Sequence, residues 1–201
     1  MSDKLKSMSP AARLEAGKGL VVMGIQFTLY LCASIALTVA TGYFLWEKET
    51  DNKCQASNDK NTLNDLIDVK ERFDIILKIY FAVFVTETVR SGIMLLAIIT
   101  KKVGLAKIYQ FLCLNDCLAF AALIILHVYR FQPSGKACSG DYLMEDKDAS
   151  YSQLTDLADS PLGKGMLIYK GRYLLGLVIW VWVGGIGLCC LTCILSFLAT
   201  K

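Results

Sequence analysis

The chain has little of what soluble chemistry draws on. It holds one histidine and three prolines, and only 19% of its residues are charged. The lone His127 sits outside the repeated Glu-x-x-His pattern of di-metal centres in helical bundles, so Glu87, Asp116 and His127 do not read as a metal site. No catalytic signature stands anywhere in the chain, and neither enzymatic activity nor a cofactor is expected. The net charge is only +3, and the Lys and Arg are scattered instead of forming a stripe interleaved with aromatics. That excludes nucleic acid as a partner. No Asn-x-Ser/Thr sequon occurs in either long polar connection; Asn52 begins only "NKC".

What is abundant is apolar. With 55% hydrophobic residues and a mean hydropathy of +0.47 over 201 residues, the chain is too apolar for a soluble domain and too short for several domains. It reads as one integral membrane unit whose first partner is the lipid bilayer. A bilayer core is ~30 Å thick and a helix rises ~1.5 Å per residue, so a span needs ~20 apolar residues. Four segments qualify: 20–46, 75–100, 104–129 and 173–199. They are continuous apolar runs without the alternation of a barrel strand. The first run is well beyond the ~7–15 residues of a signal-peptide core and reads as a retained helix. The expected fold is therefore all-α: a four-transmembrane-helix bundle over 20–199, preceded by a short tail at 1–19.

Basic residues orient the bundle. The tail carries Lys4, Lys6, Arg13 and Lys18, the short connection near 101–107 carries Lys101, Lys102 and Lys107, and Lys201 ends the chain. These regions share one side of a four-span chain. The first long connection, 47–74, has eight acids against five bases; the second, 131–172, has six against five. Both termini are expected on the cytoplasmic side, or the matrix side of a mitochondrial membrane, with two polar loops opposite. Trp46, Tyr129 and Tyr173 fall at the outer ends. The first loop begins as coil, after which Leu63, Leu66, Ile67 and Val69 or Phe73 recur at helical spacing. This pattern predicts that the second helix starts before the membrane, capped by Asn61 or Thr62. The second loop reads as turns with one helical piece near 151–157.

The second span carries charge where charge is most expensive. Glu87 and Arg90 are three apart and share a helix face. The second and third spans are joined only by "KKVG", which makes them neighbours; Arg90 lies ten residues before Thr100, and Asp116 twelve after Gly104. Glu87, Arg90, Asn115 and Asp116 are therefore expected to form one polar cluster facing the bundle interior. Two roles are open for it, a lock that fixes which helix faces pack and an ion or proton pathway.

The eight cysteines divide by location. Cys32, Cys113, Cys117, Cys189, Cys190 and Cys193 lie within spans, where a free thiol behaves as a small hydrophobe. Cys54 and Cys138 are each the sole cysteine of an outer loop and form a candidate disulfide if the outer side is oxidising. Gly184, Gly185 and Gly187 in the fourth span allow close helix approach, within the bundle or between copies.

Four spans, charged residues across neighbouring helices and two outer loops resemble the MARVEL-type tetraspan membrane proteins and the related Casparian-strip family. The segment "HVYRFQPSGKACSGDYL" is similar to MARVEL-like proteins of unicellular eukaryotes. That family carries an Arg in its first span and an Asp in its third; Asp116 matches the latter, whereas Arg90 stands in the second span. Claudin-type and tetraspanin "CCG" signatures are absent from the outer loops. The resemblance implies a non-enzymatic scaffold or accessory subunit that organises a membrane patch or a larger complex, with other membrane proteins or further copies as partners. Two alternatives stand beside it. One is a transporter or channel component using Glu87, Arg90 and Asp116. The other is an accessory subunit of an organellar energy-converting complex.

Overall fold

The computed structural model describes residues 10–58, 66–101, 104–105, 114–144 and 165–184. It is mostly helical. Helix α1 runs Pro10–Trp46, α2 Val69–Thr100 and α3 Leu114–Phe131. A short α4, Pro133–Cys138, and a 3-10 turn, Asp141–Met144, follow. Helix α5, Ile168–Ile179, continues into a π-helical turn, Trp180–Gly184. Two three-residue strands, β1 (Gln55–Ser57) and β2 (Leu66–Asp68), pair antiparallel with Ala56 opposite Ile67. Three helical segments are long and apolar enough to cross a membrane: Gly19–Trp46, Val69–Thr100 and Leu114–Phe131. Of the fourth expected span, residues 185–199 lie outside the described residues.

Helix α2 begins at Val69, not near Asn61 or Thr62, and Leu66–Asp68 is strand where helical spacing predicted helix. The reason is tertiary. Val69 N–H donates to the Cys54 carbonyl (3.0 Å), so the chain before it is held as the partner of β1. Asp68 then caps the helix, its carboxylate accepting from Glu71 N–H at 3.1 Å. Glu71 also places a negative charge against the positive end of the helix dipole. At the other end Lys101 takes a left-handed conformation (φ 55°), which stops α2. The second loop departs from expectation as well, because it opens with α4. Pro133, with no N–H to leave unbonded, stands in that helix's first turn. A Cβ on Gly135 would collide with the Tyr129 carbonyl oxygen, so glycine is what lets α4 fold back on the end of α3. The piece expected near 151–157 lies outside the described residues.

Burial concentrates at the end of the bundle where the long loops meet. Helix α2 supplies the stripe Val69, Phe73, Ile76, Leu77, Tyr80, Val83 and Phe84, spaced by three and four. Ala122 and Leu126 of α3 and Leu174, Leu177 and Val178 of α5 close on it. Helix α1 is held by polar and aromatic ties: Thr41 Oγ1 to Tyr173 Oη (2.6 Å), Thr88 Oγ1 donating to Ser34 Oγ (3.0 Å), and Trp46 edge-on to Phe81 (4.8 Å between centroids). Elsewhere the long helices expose large apolar side chains, among them Val21, Ile25, Val39, Leu96, Ile99, Phe120 and Ile124. An apolar face of that extent suits contact with lipid in a chain with three candidate spans.

Candidate functional site

The charged residues fall into two constellations at different depths. The first lies inside the candidate spans, where α2 meets α3. Arg90 Nη1 sits 2.6 Å from Asp116 Oδ1 and 3.3 Å from Glu87 Oε2. Asn115 donates to the Val83 carbonyl (3.2 Å) and lies 3.5 Å from Glu87 Oε2. The Arg90 side chain is 9% exposed, Glu87 28% and Asp116 61%. All four residues expected to cluster are thus brought together. The hairpin explains this: Val83, Glu87 and Arg90 share a face of α2, and residues 115 and 116 face them from the neighbouring helix. In a medium without water, a guanidinium held by two carboxylates through Nη1 is a charge-compensated tie across the two helices.

Farther along, His127 does not join this cluster. Its Nδ1 lies 2.7 Å from the Leu123 carbonyl, and Trp182 Nε1 donates to its Nε2 at 3.2 Å. An indole N–H can only donate, so Nε2 is the acceptor and Nδ1 carries the proton. The imidazole therefore ties α3 to the π turn. Gly184 approaches the Trp180 ring of its own turn, at 3.3 Å from a built Cβ, rather than a facing helix. Gly185 and Gly187 lie outside the described residues, as do Cys113, Cys189, Cys190 and Cys193. Cys32 and Cys117 are free and exposed.

The second constellation is a cap at the loop end, closed by a disulfide between Cys54 and Cys138, 84 residues apart. Around it, Arg130 at the end of α3 makes a bond from each of its three side-chain nitrogens. Its Nη1 and Nη2 reach the two oxygens of Asp141 (2.7 and 2.9 Å), and Nε donates to the Gly171 carbonyl (2.7 Å). One side chain so joins α3, the 3-10 turn and α5. Lys170, with a side chain 0% exposed, pairs with Asp74 of α2 at 2.6 Å. Glu49 supplies the missing cap of α5, its two oxygens accepting from Tyr169 N–H (3.0 Å) and Lys170 N–H (2.9 Å). Burial raises the Glu49 carboxyl above its ordinary value, a shift that those N–H donors only partly offset. Asn52 donates to the Met166 carbonyl (2.6 Å), and Asn58 accepts from Ser134 Oγ (2.6 Å).

The sequence placed the disulfide but not this ionic framework. Asp74, Lys170, Glu49 and Asp141 register there only as loop charges, and Arg130 only as the residue before a loop. The one local signal is Arg130 itself, a base in the last turn of an apolar helix, where the dipole favours it.

No family model matches the chain, and no curated protein or solved structure is similar enough to it to match.

Proposed function

We propose that the chain is a four-span membrane protein with its capped loops on the outer side of the membrane, and that it acts as a non-enzymatic scaffold or accessory subunit of the MARVEL-like kind. The observation that carries this reading is how the charged side chains are used. Arg90, Arg130 and Lys170 are all buried and each is spent on a tie between separate elements: Arg90 to Asp116, Arg130 to Asp141 and the Gly171 carbonyl, and Lys170 to Asp74. A protein built this way presents a rigid bundle and a rigid cap, surfaces suited to holding neighbours. The sidedness rests on two features: a disulfide in the cap, which suits an oxidising face, and the basic tail and Lys101, Lys102 connection at the other end. The test is purification in mild detergent after brief cross-linking, with identification of what accompanies the chain. A reproducible stoichiometric membrane partner, or a defined homo-oligomer, is expected; a monodisperse monomer with no cross-linked neighbour refutes the scaffold reading.

A transporter role is the second reading, and one observation favours it. Two carboxylates face a single guanidinium within the spans, which leaves an acid in excess. Ion or proton flux in reconstituted vesicles, abolished by Asp116→Asn with the fold retained, would establish it.

A further inference from the structure

We propose that the trough between α1 and α2, at the basic end of the bundle, binds one phospholipid with an anionic headgroup. The trough holds about 610 Å³. Leu20, Gly24 and Thr28 of α1 line it together with Leu95 and Ile98 of α2, and Lys101, the residue that caps α2, stands at its mouth. From Leu20 to Leu29 it follows α1 for about 14 Å of helical rise. Its lining stops short of the point where Thr88 Oγ1 donates to Ser34 Oγ (3.0 Å) and ties the two helices together.

The occupant follows from charge and polarity. Lys101 is the one charged residue among the described lining residues; it is exposed, and among the described residues its ammonium takes part in no hydrogen bond or ion pair. A cation without a counter-charge at the mouth of an apolar trough calls for an anion joined to an apolar chain. The rest of the lining offers no competing polar site, since the Thr28 hydroxyl is spent on the Gly24 carbonyl (2.8 Å). A Cβ built on Gly24 meets nothing within 4 Å, so the missing side chain leaves room in the trough and is not a requirement of close helix packing. The same end of the chain carries Lys18, two residues before Leu20, and Lys102 beside Lys101. On the sidedness proposed above this is the inner face, where anionic lipid is concentrated and basic pockets between membrane helices take its headgroups.

The inference rests on the membrane reading, which resistance of the chain to carbonate extraction tests by itself. The full chain in mild detergent is titrated with phosphatidylglycerol or phosphatidylcholine of the same acyl chains and followed by native mass spectrometry. Wild type is expected to hold one phosphatidylglycerol saturably and to prefer it to phosphatidylcholine. Lys101→Gln lowers that preference about fivefold, the weight of one base at a membrane surface, whereas Lys53→Gln at the opposite end leaves it unchanged. Gly24→Leu weakens both lipids about tenfold, the equivalent of roughly ten lost carbon contacts. Glycerophosphate in excess does not displace the lipid, because the trough takes the chain as well as the phosphate. An equal effect of Lys101→Gln and Lys53→Gln, unchanged binding in Gly24→Leu, or displacement by glycerophosphate overturns the proposal. If Gly24→Leu loses its helical circular dichroism, Lys101→Gln decides: an unchanged headgroup preference in that variant overturns it. A chain extracted by carbonate overturns the membrane reading, and a retained chain without saturable binding overturns the site alone.

Discussion

Asp141→Ala should destabilise this protein more than Arg130→Leu, although the two changes break the same ion pair. The two partners are buried unequally, with side-chain exposures of 2% for Arg130 and 36% for Asp141. Removing Asp141 leaves a guanidinium that cannot lose its proton, enclosed, with the Gly171 carbonyl as its remaining partner here. Stranding a buried charge in this way costs ~3–5 kcal/mol. Removing Arg130 frees a carboxylate that already touches water and can turn outward. What remains is the Gly171 carbonyl without its donor, a loss of ~1–3 kcal/mol. The difference between the variants is therefore on the order of 2 kcal/mol, with Asp141→Ala the weaker fold.

The double variant Arg130→Leu/Asp141→Ala should resemble Arg130→Leu alone, because the stranded charge is gone. Arg130→Lys should not rescue, since an ammonium cannot reproduce the fork to Asp141 and the third bond to Gly171 together. The assay is unfolding of purified protein in mild detergent by increasing sodium dodecyl sulfate, read by circular dichroism, alongside limited proteolysis of the cap. Arg130→Leu as harmful as Asp141→Ala, or more so, refutes the idea that unequal burial sets the order.

Four further outcomes follow from the same geometry. Replacing Cys54 and Cys138 by Ser should lower stability by up to ~4–5 kcal/mol for a bridge closing 84 residues, an upper bound because α2 and α3 stay helical in lipid when packing is lost; an unchanged unfolding midpoint refutes it. Because the Glu49 carboxyl is raised above 4.5, its protonated form favours the fold: the contribution is present below 4.5 and lost as pH rises through the raised value. Glu49→Gln should flatten that part of the stability–pH curve, and a profile identical to wild type sinks the idea. Within the spans, Glu87→Leu/Asp116→Leu strands Arg90 and should cost ~3–5 kcal/mol, more than Arg90→Leu, which leaves no guanidinium stranded; the reverse order in the same unfolding assay counts against a buried lock. In sealed cells an impermeant amine reagent should label Lys53 but neither Lys101 nor Lys102, and labelling of that pair overturns the orientation.

How far the sequence could be read depended on how each feature is encoded. Spans are written in long runs, so α2 and most of α1 are visible as apolar stretches in the residues alone. The meeting of Arg90 with Asp116 was also legible, because a four-residue turn makes two helices neighbours and depth can be counted along each. The cap is written differently. Asp74 and Lys170 are 96 residues apart, and no periodicity connects them. Strands of three residues carry no usable alternation, so Leu66 and Ile67 read as part of the following helix until their pairing with Ser57 and Ala56 of β1 is seen.

That contrast bears on what the two charged constellations do. Inside the spans a polar residue has no water to turn to, so its partners must come from neighbouring helices and its position alone restricts them. In the cap, by contrast, Asp74 or Asp141 could have been satisfied by water, yet each is paired with a base buried almost completely. Burying Lys170 and Arg130 costs desolvation that surface pairs avoid, and it comes with a definite arrangement of α2, α3, the 3-10 turn and α5 relative to one another. On the proposed reading, that arrangement serves to keep the cap surface in one shape. A transporter could leave its outer loops loose around a continuous track of charge; a protein that recognises a neighbour through its cap could not. Loosening the cap by Asp141→Ala should therefore weaken partner retention before it affects insertion into the membrane. Quantitative recovery of cross-linked partners from Asp141→Ala at wild-type yield, with the cap shown to be protease-sensitive, would separate cap rigidity from assembly and move the recognition surface onto the spans.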